Sequence, residues 1–161
     1  MKERENYRKF IFKTIEIAMN AVKNGNNPFG ALMLSKNNEI LLEQENIERT
    51  TGDCTGHAET ALMRKASMKY SKEFLKECKL VTIAEPCIMC CGAIYWGNVG
   101  TVIYGLSEKK LLELTGNNPL NPTMSMPCRE AFASGQKNIN VTGPMFEKDV
   151  IEAVTPFWEN N

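Results

Sequence analysis

The chain has 161 residues, of which 43% are hydrophobic and 24% are charged, and this composition excludes a disordered or fibrous protein. Nineteen basic side chains balance nineteen acidic ones, so the basic excess typical of nucleic-acid-binding proteins is missing. We therefore expect one globular domain, residues 1–161, and do not expect a large nucleic acid as its partner. Short apolar runs and the lack of a signal-peptide pattern predict a cytoplasmic protein without a membrane span.

The first half of the chain predicts a helix, a β-hairpin, a polar loop and a second helix. The N-terminal helix is indicated by apolar residues at the helical period, and the hairpin by two extended segments around a Lys-Asn-Asn turn. The first helix is predicted at residues 7–22, and the hairpin at residues 29–35 and 39–46. The polar loop follows at residues 47–56 and the second helix at residues 57–70. Thr55 is the candidate N-cap of the second helix.

The second half alternates strands with helices. Two of its strands are apolar enough to be buried on both faces. The predicted strands are 79–86, 99–105 and 138–143, and the predicted helices are 87–98, 107–116, 128–135 and 145–160. Residues 117–127, rich in proline and asparagine, predict a surface excursion, and Pro156 is expected to disturb the last helix. The pattern predicts an α/β fold, a three-layer α/β/α sandwich around a mixed five-stranded sheet.

The cysteines favour metal or redox chemistry over disulfide bonds. Three of the six lie at positions 87, 90 and 91, and no secretory signal accompanies them. The other three, Cys54, Cys78 and Cys128, are expected to be small inert hydrophobic residues.

Two short motifs combine to predict a catalytic metal site. His57 lies two residues before Glu59, and Cys87 and Cys90 form a Cys-X-X-Cys pair after Pro86. Both motifs begin helices at the predicted sheet edge, where sites of α/β proteins form. One imidazole and two thiolates give three zinc ligands and leave a fourth position open for water. Glu59 can lean over that position and transfer protons.

Two other interpretations of the cysteine pair remain. A redox pair has no use for the upstream His-X-Glu motif, and a structural zinc site needs a fourth ligand. Cys54 and Cys91 are the nearby candidates for that ligand, and helical phase turns Cys91 away from Cys87 and Cys90.

The motifs resemble those of the cytidine-deaminase-like zinc deaminases, which carry H-x-E followed by P-C-x-x-C. The stretches "NPFGALML" and "EPCIMCCGAIYWGNVGTVIYG" are similar to the guanine deaminase and tRNA adenosine deaminase branch. The resemblance implies loss of ammonia from an amino-substituted heterocycle. It places His57, Cys87 and Cys90 on zinc and makes Glu59 the acid and base.

The same resemblance implies substrate contacts at Asn46, Phe29, Trp96 and the backbone N–H of Ala58. Each has a plainer interpretation from the residues alone. An asparagine after a strand commonly forms a turn, and Phe29 and Trp96 could simply be core residues.

The substrate is predicted less firmly than the reaction. Guanine, or another amino-purine base or nucleoside, is the leading hypothesis. The alternatives are a tRNA wobble adenosine, a cytosine or cytidine, and a structural zinc module without catalysis. Guanine deaminases carry an acidic segment that this chain lacks, and Glu108 and Glu113 are the acids in that region. A homodimer is implied, in which residues 155–161 swap, form a lid or simply dock.

Overall fold

The computed structural model of the protein describes residues 2–161, whose five strands form one mixed sheet. The strands are β1 (Gly30–Leu34), β2 (Ile40–Glu45), β3 (Lys79–Ala84), β4 (Thr101–Leu106) and β5 (Asn140–Thr142). They lie in the order β2-β1-β3-β4-β5. Strand β1 is antiparallel to β2 and β3, whereas β3, β4 and β5 run parallel to one another. The predicted mixed five-stranded sheet is confirmed.

Helices cover both faces of this sheet. They are α1 (Lys2–Asn6), α2 (Arg8–Lys23), α3 (Glu48–Thr51), α4 (Ala58–Lys69), α5 (Lys72–Lys76), α6 (Ile88–Gly97), α7 (Glu108–Thr115), α8 (Cys128–Ala133) and α9 (Glu147–Glu159). Helices α2, α7 and α9 pack on one face, and α4, α6 and α8 pack on the other. Side chains of β1 alternate between the two cores, as expected for a strand covered on both sides. The predicted three-layer sandwich is confirmed.

A glycine at the start of β1 lets the sheet approach α2 closely. A Cβ atom on Gly30 would lie 2.8 Å from the backbone nitrogen of Ala18 and from the Cβ of Ile17, which leaves no room for a larger residue. Next to it, the Asn46 N–H donates to the carbonyl of Phe29 at 3.0 Å. This hydrogen bond places Phe29 and Asn46 together at one end of the hairpin.

Local details differ from the sequence predictions. The N-terminal helix is divided at Tyr7 into α1 and α2, and the 47–56 loop contains α3. Thr55 does not cap α4, because its hydroxyl bonds to Asp53 Oδ1 at 2.7 Å, and His57 occupies the N-cap position. Helix α9 continues through Pro156, since packing of its buried face outweighs the lost hydrogen bond. Within residues 2–161, no helix is long and apolar enough to cross a membrane.

Candidate functional site

The two motifs meet where the N-termini of α4 and α6 converge at the carboxyl end of β3. His57 and Cys87 are the N-cap residues of these helices, both with extended backbone, and Cys90 follows in the first turn of α6. Helix N-termini carry a partial positive charge that favours thiolates. The local folding of both motifs thus prepares an electropositive corner for anionic sulfur ligands.

The spacing of the three candidate ligands fits a tetrahedral zinc ion. His57 Nδ1 lies 3.5 Å from Cys87 Sγ and 3.7 Å from Cys90 Sγ, and the three ligand atoms lie within 4.8 Å of one another. Tetrahedral zinc with ordinary Zn–N and Zn–S bonds separates nitrogen from sulfur by about 3.6 Å. The structure therefore brings His57, Cys87 and Cys90 together as predicted, with a donor set and spacing suited to zinc.

Neighbouring polar groups orient these ligands. Glu48 Oε2, from α3, lies 3.8 Å from His57 Nε2, so a carboxylate faces the ring nitrogen that is turned away from the metal position. On the other side, the Thr60 hydroxyl lies 3.2 Å from Cys90 Sγ. Outer contacts of this kind hold ligand side chains in their binding orientation.

The thiols of Cys87 and Cys90 differ in acidity. A hydrogen bond from Cys90 lowers the pKa of Cys87 to about 4, while the same contact and burial raise the pKa of Cys90. The Cys87 sulfur in turn raises the pKa of His57 to about 9. Because ligands must be deprotonated, binding of a metal displaces protons from this cluster.

Glu59 is buried beside the ligands and held from the opposite side by the sheet. The Thr82 hydroxyl, from β3, donates to Glu59 Oε1 at 2.5 Å, and the Cys90 thiol donates to Oε2 at 3.5 Å. Burial raises the pKa of the Glu59 carboxyl. A carboxyl with a raised pKa is better suited to accept and return a proton near neutral pH.

A cavity of about 260 Å³ opens beside this cluster. One wall comes from His57, Glu59 and Cys87, and another comes from Phe29 and Asn46. Residues of the segment 108–128, called here the roof segment, form a further part of the lining. They are Glu108, Leu111 and residues 120–124. The volume lies just below the roughly 300–1,000 Å³ of typical small-molecule sites, which suits a single heterocycle.

Two of the predicted substrate contacts line the cavity. Asn46 is 1% exposed, and its Oδ1 accepts the Glu48 N–H at 3.1 Å, which leaves its Nδ2 as a donor for a bound molecule. Phe29 lines the cavity and lies against Trp158 of α9, with ring centroids 6.0 Å apart. The C-terminal helix thus docks on its own chain and supports this wall from behind.

The other two predicted contacts are placed differently. Ala58 is fully buried in the core, but it begins α4, where backbone N–H groups have no partner within the helix. Trp96 is 71% exposed and does not line the cavity. It lies nine residues after Cys87, and this spacing corresponds to two and a half helical turns. The ring therefore projects from the opposite face of α6.

The sequence did not decide whether Glu108 or Glu113 belongs to the site, and the structure separates these two acids. Glu108 is buried at the start of α7 and lines the cavity. Burial, reinforced by nearby negative charge, raises the pKa of Glu108 to about 7. Glu113 is exposed and pairs with Lys110 at 2.6 Å. The position of Glu108 just beyond the carboxyl end of β4 was a signal that could have identified it.

Cys54 and Asn27 are examples of cavity residues that were not predicted from the sequence. Cys54 is exposed and lines the cavity, so it is not packed as a small hydrophobic residue, because the loop that carries it lies outside the hydrophobic core. Asn27 also lines the cavity, and its buried Oδ1 has no hydrogen-bond partner among residues 2–161. Cys78 and Cys128 are buried as expected.

Comparison with known proteins identifies deaminases whose sequences are similar to this chain. A family model for the cytidine and deoxycytidylate deaminase zinc-binding region matches residues 4–106. A probable cytosine deaminase of Schizosaccharomyces pombe is 30% identical over 93% of this chain and 91% of its own length. The guanine deaminase of Bacillus subtilis is 30% identical over 96% of this chain and 95% of its own length.

A solved structure shows the same fold. The guanine deaminase of Nitrosomonas europaea superposes with a TM-score of 0.76 at 20% identity, covering 92% of this chain and 82% of that one. The family match and the cluster of His57, Cys87 and Cys90 together confirm the predicted zinc cofactor.

Proposed function

Because the chain belongs to the family of cytidine and deoxycytidylate deaminases, it is a zinc-dependent hydrolytic deaminase, and we propose that its substrate is an amino-purine base or nucleoside. Guanine is the first candidate. In this proposal residues 1–161 act as a single catalytic domain on a small molecule and do not act on a nucleic acid.

The position of the Glu59 carboxylate beside the metal ligands is the observation that carries the mechanism. Thr82 occupies Oε1. Oε2 accepts the Cys90 thiol, whose proton would be given up when Cys90 serves as a thiolate ligand, so Oε2 is the oxygen left to move protons. Zinc held by the three ligands supplies the Lewis acidity that lowers the pKa of water toward 7. Glu59 Oε2 takes a proton from the attacking water and returns it to the departing nitrogen. A C–O bond forms, the C–N bond breaks and ammonia leaves.

The remaining cavity residues hold the ring. Asn46 Nδ2 donates to a ring acceptor, and Phe29 packs against the ring face. The Ala58 N–H, which lies outside the cavity lining at the start of α4, is a second donor in this proposal. Glu108, with a pKa of about 7, is present in both protonation states near neutral pH. It therefore accepts a hydrogen bond from a ring N–H or donates one to a ring nitrogen.

Cytosine is the second candidate substrate, because the relative named a probable cytosine deaminase shares the same 30% identity over 93% of the chain. A wobble adenosine in tRNA is less well supported. The chain has a net charge of zero, whereas binding of a large polyanion depends on clustered basic side chains.

The test is ammonia release from guanine, guanosine, adenosine, cytosine, cytidine and a tRNA anticodon stem, with zinc content measured on the same sample. We expect the highest kcat/KM for guanine.

Glu59→Gln should retain zinc and lose about 10²–10⁴-fold in kcat. Glu113→Gln is the matched control, because that carboxylate is exposed and remote from the cavity. Full activity in a folded Glu59→Gln variant would refute the mechanism, and zinc retention without activity on any substrate would favour a structural zinc module.

We also propose that two copies of the chain associate through the outer face of α6 and α8. Trp96 is 71% exposed there, and the neighbouring Tyr95 lines an apolar groove together with Phe132. Large exposed aromatic side chains of this kind are typical of interfaces. Analytical ultracentrifugation of the wild-type protein tests this association.

A further inference from the structure

The roof segment reaches the cavity without the support of a strand. Between the end of α7 at Thr115 and the start of α8 at Cys128, the chain contains no helix or strand. Residues 120–124 nevertheless form part of the cavity surface. Because no hydrogen-bond ladder fixes this stretch, its position depends on a few specific contacts.

One buried carboxylate holds both ends of the roof segment. Glu85 Oε2 accepts the backbone N–H of Glu108 at 2.9 Å, and Glu85 Oε1 accepts the backbone N–H of Cys128 at 2.8 Å. These N–H groups open α7 and α8 and so have no partner within their own helices. Glu85 is 7% exposed, and hydrogen bonds to a buried charged acceptor are among the stronger ones in proteins.

Glu85 is itself fixed relative to the metal ligands. It follows β3 directly and stands two residues before Cys87. Its own N–H donates to the carbonyl of Leu106, at the end of β4, at 2.7 Å. The carboxylate that holds the roof segment is therefore joined through a short stretch of backbone to the metal ligands.

A third contact holds the middle of the roof segment. Asn27 Nδ2 donates to the carbonyl of Leu120 at 3.2 Å, across 93 residues of sequence. Asn27 is 3% exposed and precedes the hairpin wall that carries Phe29. The roof segment is thus attached to the metal side of the cavity at its ends and to the hairpin side at its middle.

We infer that Glu85 is a positioning residue that sets the height of the roof segment above the metal centre and thereby determines which ring the cavity accepts. This inference rests on the proposed function for its selectivity, but its structural part concerns the roof segment alone. Glu85 also lines the cavity, but its two carboxylate oxygens accept the backbone N–H groups of Glu108 and Cys128. In this inference it therefore acts on the substrate mainly through Glu108 and residues 120–124.

The first variant is Glu85→Gln, which keeps the side-chain shape and replaces one acceptor oxygen with a donor. One roof attachment is then lost, and the remaining one loses its charge. We expect KM for the preferred base to rise about tenfold, the loss expected for one hydrogen bond to a charged group, while kcat changes less than about threefold. The ratio of kcat/KM for guanine to that for cytosine should fall. Zinc content should stay at the wild-type value.

Hydrogen exchange supplies a readout that does not depend on activity. In Glu85→Gln the amides of residues 116–128 should exchange faster, while those of β1 and β2 keep the wild-type rate. Glu130→Gln is the control, because it makes the same chemical change at an exposed position of α8. If no base releases ammonia with the wild-type protein, the proposed function fails while hydrogen exchange still tests the attachment.

A second variant tests the attachment without altering Glu85. Cys128→Pro removes the backbone donor at the first position of α8, where proline is well tolerated. The preceding Pro127 has φ −58° and ψ 137°, which a following proline accepts. We expect the same changes as in Glu85→Gln, with a smaller rise in KM.

Unchanged KM, selectivity and exchange in a folded Glu85→Gln variant would overturn the inference. Loss of zinc with equal loss of activity on every substrate would also overturn it, because it would indicate a general structural role. If Glu85→Gln does not fold, Cys128→Pro decides between the same outcomes.

Discussion

The two sides of the cavity are built in different ways. On the metal side, His57, Cys87 and Cys90 lie at the starts of two helices packed on the sheet. Glu59 is fixed there by a hydroxyl from β3. On the roof side, residues 120–124 lie in a stretch without helix or strand and depend on the distant side chains Glu85 and Asn27.

This difference separates reaction type from substrate choice. The groups that activate water and move protons require a fixed geometry, and secondary structure provides it. The groups that contact the far side of the ring lie on an irregular segment, where insertions and substitutions disturb the core least. Changes on the metal side should therefore abolish the reaction, whereas changes on the roof side should alter affinity and selectivity.

The largest effect is expected from loss of a metal ligand. Cys90→Ser replaces a thiolate with a poor zinc ligand, so zinc content should fall well below one per chain and kcat should fall at least about a hundredfold. Cys91→Ser is the matched control, because its buried thiol donates to the carbonyl of Pro86 at 3.4 Å and lies outside the ligand cluster. Zinc analysis and ammonia release check both variants; zinc retained in Cys90→Ser and lost in Cys91→Ser would reverse the ligand assignment.

A smaller effect is expected at Asn46, where the hairpin meets the cavity. Asn46→Asp keeps the oxygen that accepts the Glu48 N–H and exchanges the donor NH₂ for an acceptor. We expect KM for the preferred base to rise by about tenfold to a hundredfold, because a ring acceptor then faces a negative oxygen. Zinc content should not change, and Asn37→Asp, in the exposed hairpin turn, should match the wild type. A wild-type KM in Asn46→Asp would remove this residue from the ring contacts.

The same division explains how much the sequence could predict. Helical and extended periods located the five strands and the main helices, and the metal-side residues stand beside helix starts that are visible as short motifs. The roof contacts join positions 43 and 93 residues apart, and no local pattern encodes such pairs. Asn27 and the contacts of Glu85 were missed for this reason, and the choice between Glu108 and Glu113 stayed open. Trp96 was assigned to the cavity by resemblance although helical phase turns it outward.

Ionisation of Glu108, the buried acid of the roof segment, should also change the free energy of unfolding with pH. The pKa of Glu108 is raised to about 7 from 4.5, so folding favours its protonated form. Its stabilising contribution is complete below pH 4.5 and is lost as the pH rises through 7. Glu108→Gln cannot ionise and should be more stable than the wild type above pH 7 by about 1–2 kcal/mol, after allowance for screening by solvent.

Thermal unfolding at several pH values measures this effect. The melting temperature of Glu108→Gln should match the wild type at pH 4 and exceed it by about 2–8 °C at pH 8. Glu113→Gln should show no such rise, because its carboxylate is exposed and paired with Lys110. A difference that does not change with pH would show that Glu108 is ionised in the folded protein throughout this range.

The smallest effect on catalysis is expected at Trp96, and it tests whether the outer face of α6 is separate from both sides of the cavity. The ring is 71% exposed and contacts Tyr95 of its own helix edge-on, with centroids 5.5 Å apart. Trp96→Ser removes little buried area within one chain, so the melting temperature of the monomer should hardly change. KM and kcat measured at a fixed assembly state should stay within about twofold of the wild type.

The dimer Kd measured by ultracentrifugation should instead rise at least about tenfold, because exposed tryptophans at interfaces often contribute strongly to binding. A rise in KM with an unchanged Kd would return Trp96 to the ring contacts and would mean that a neighbouring chain completes the cavity.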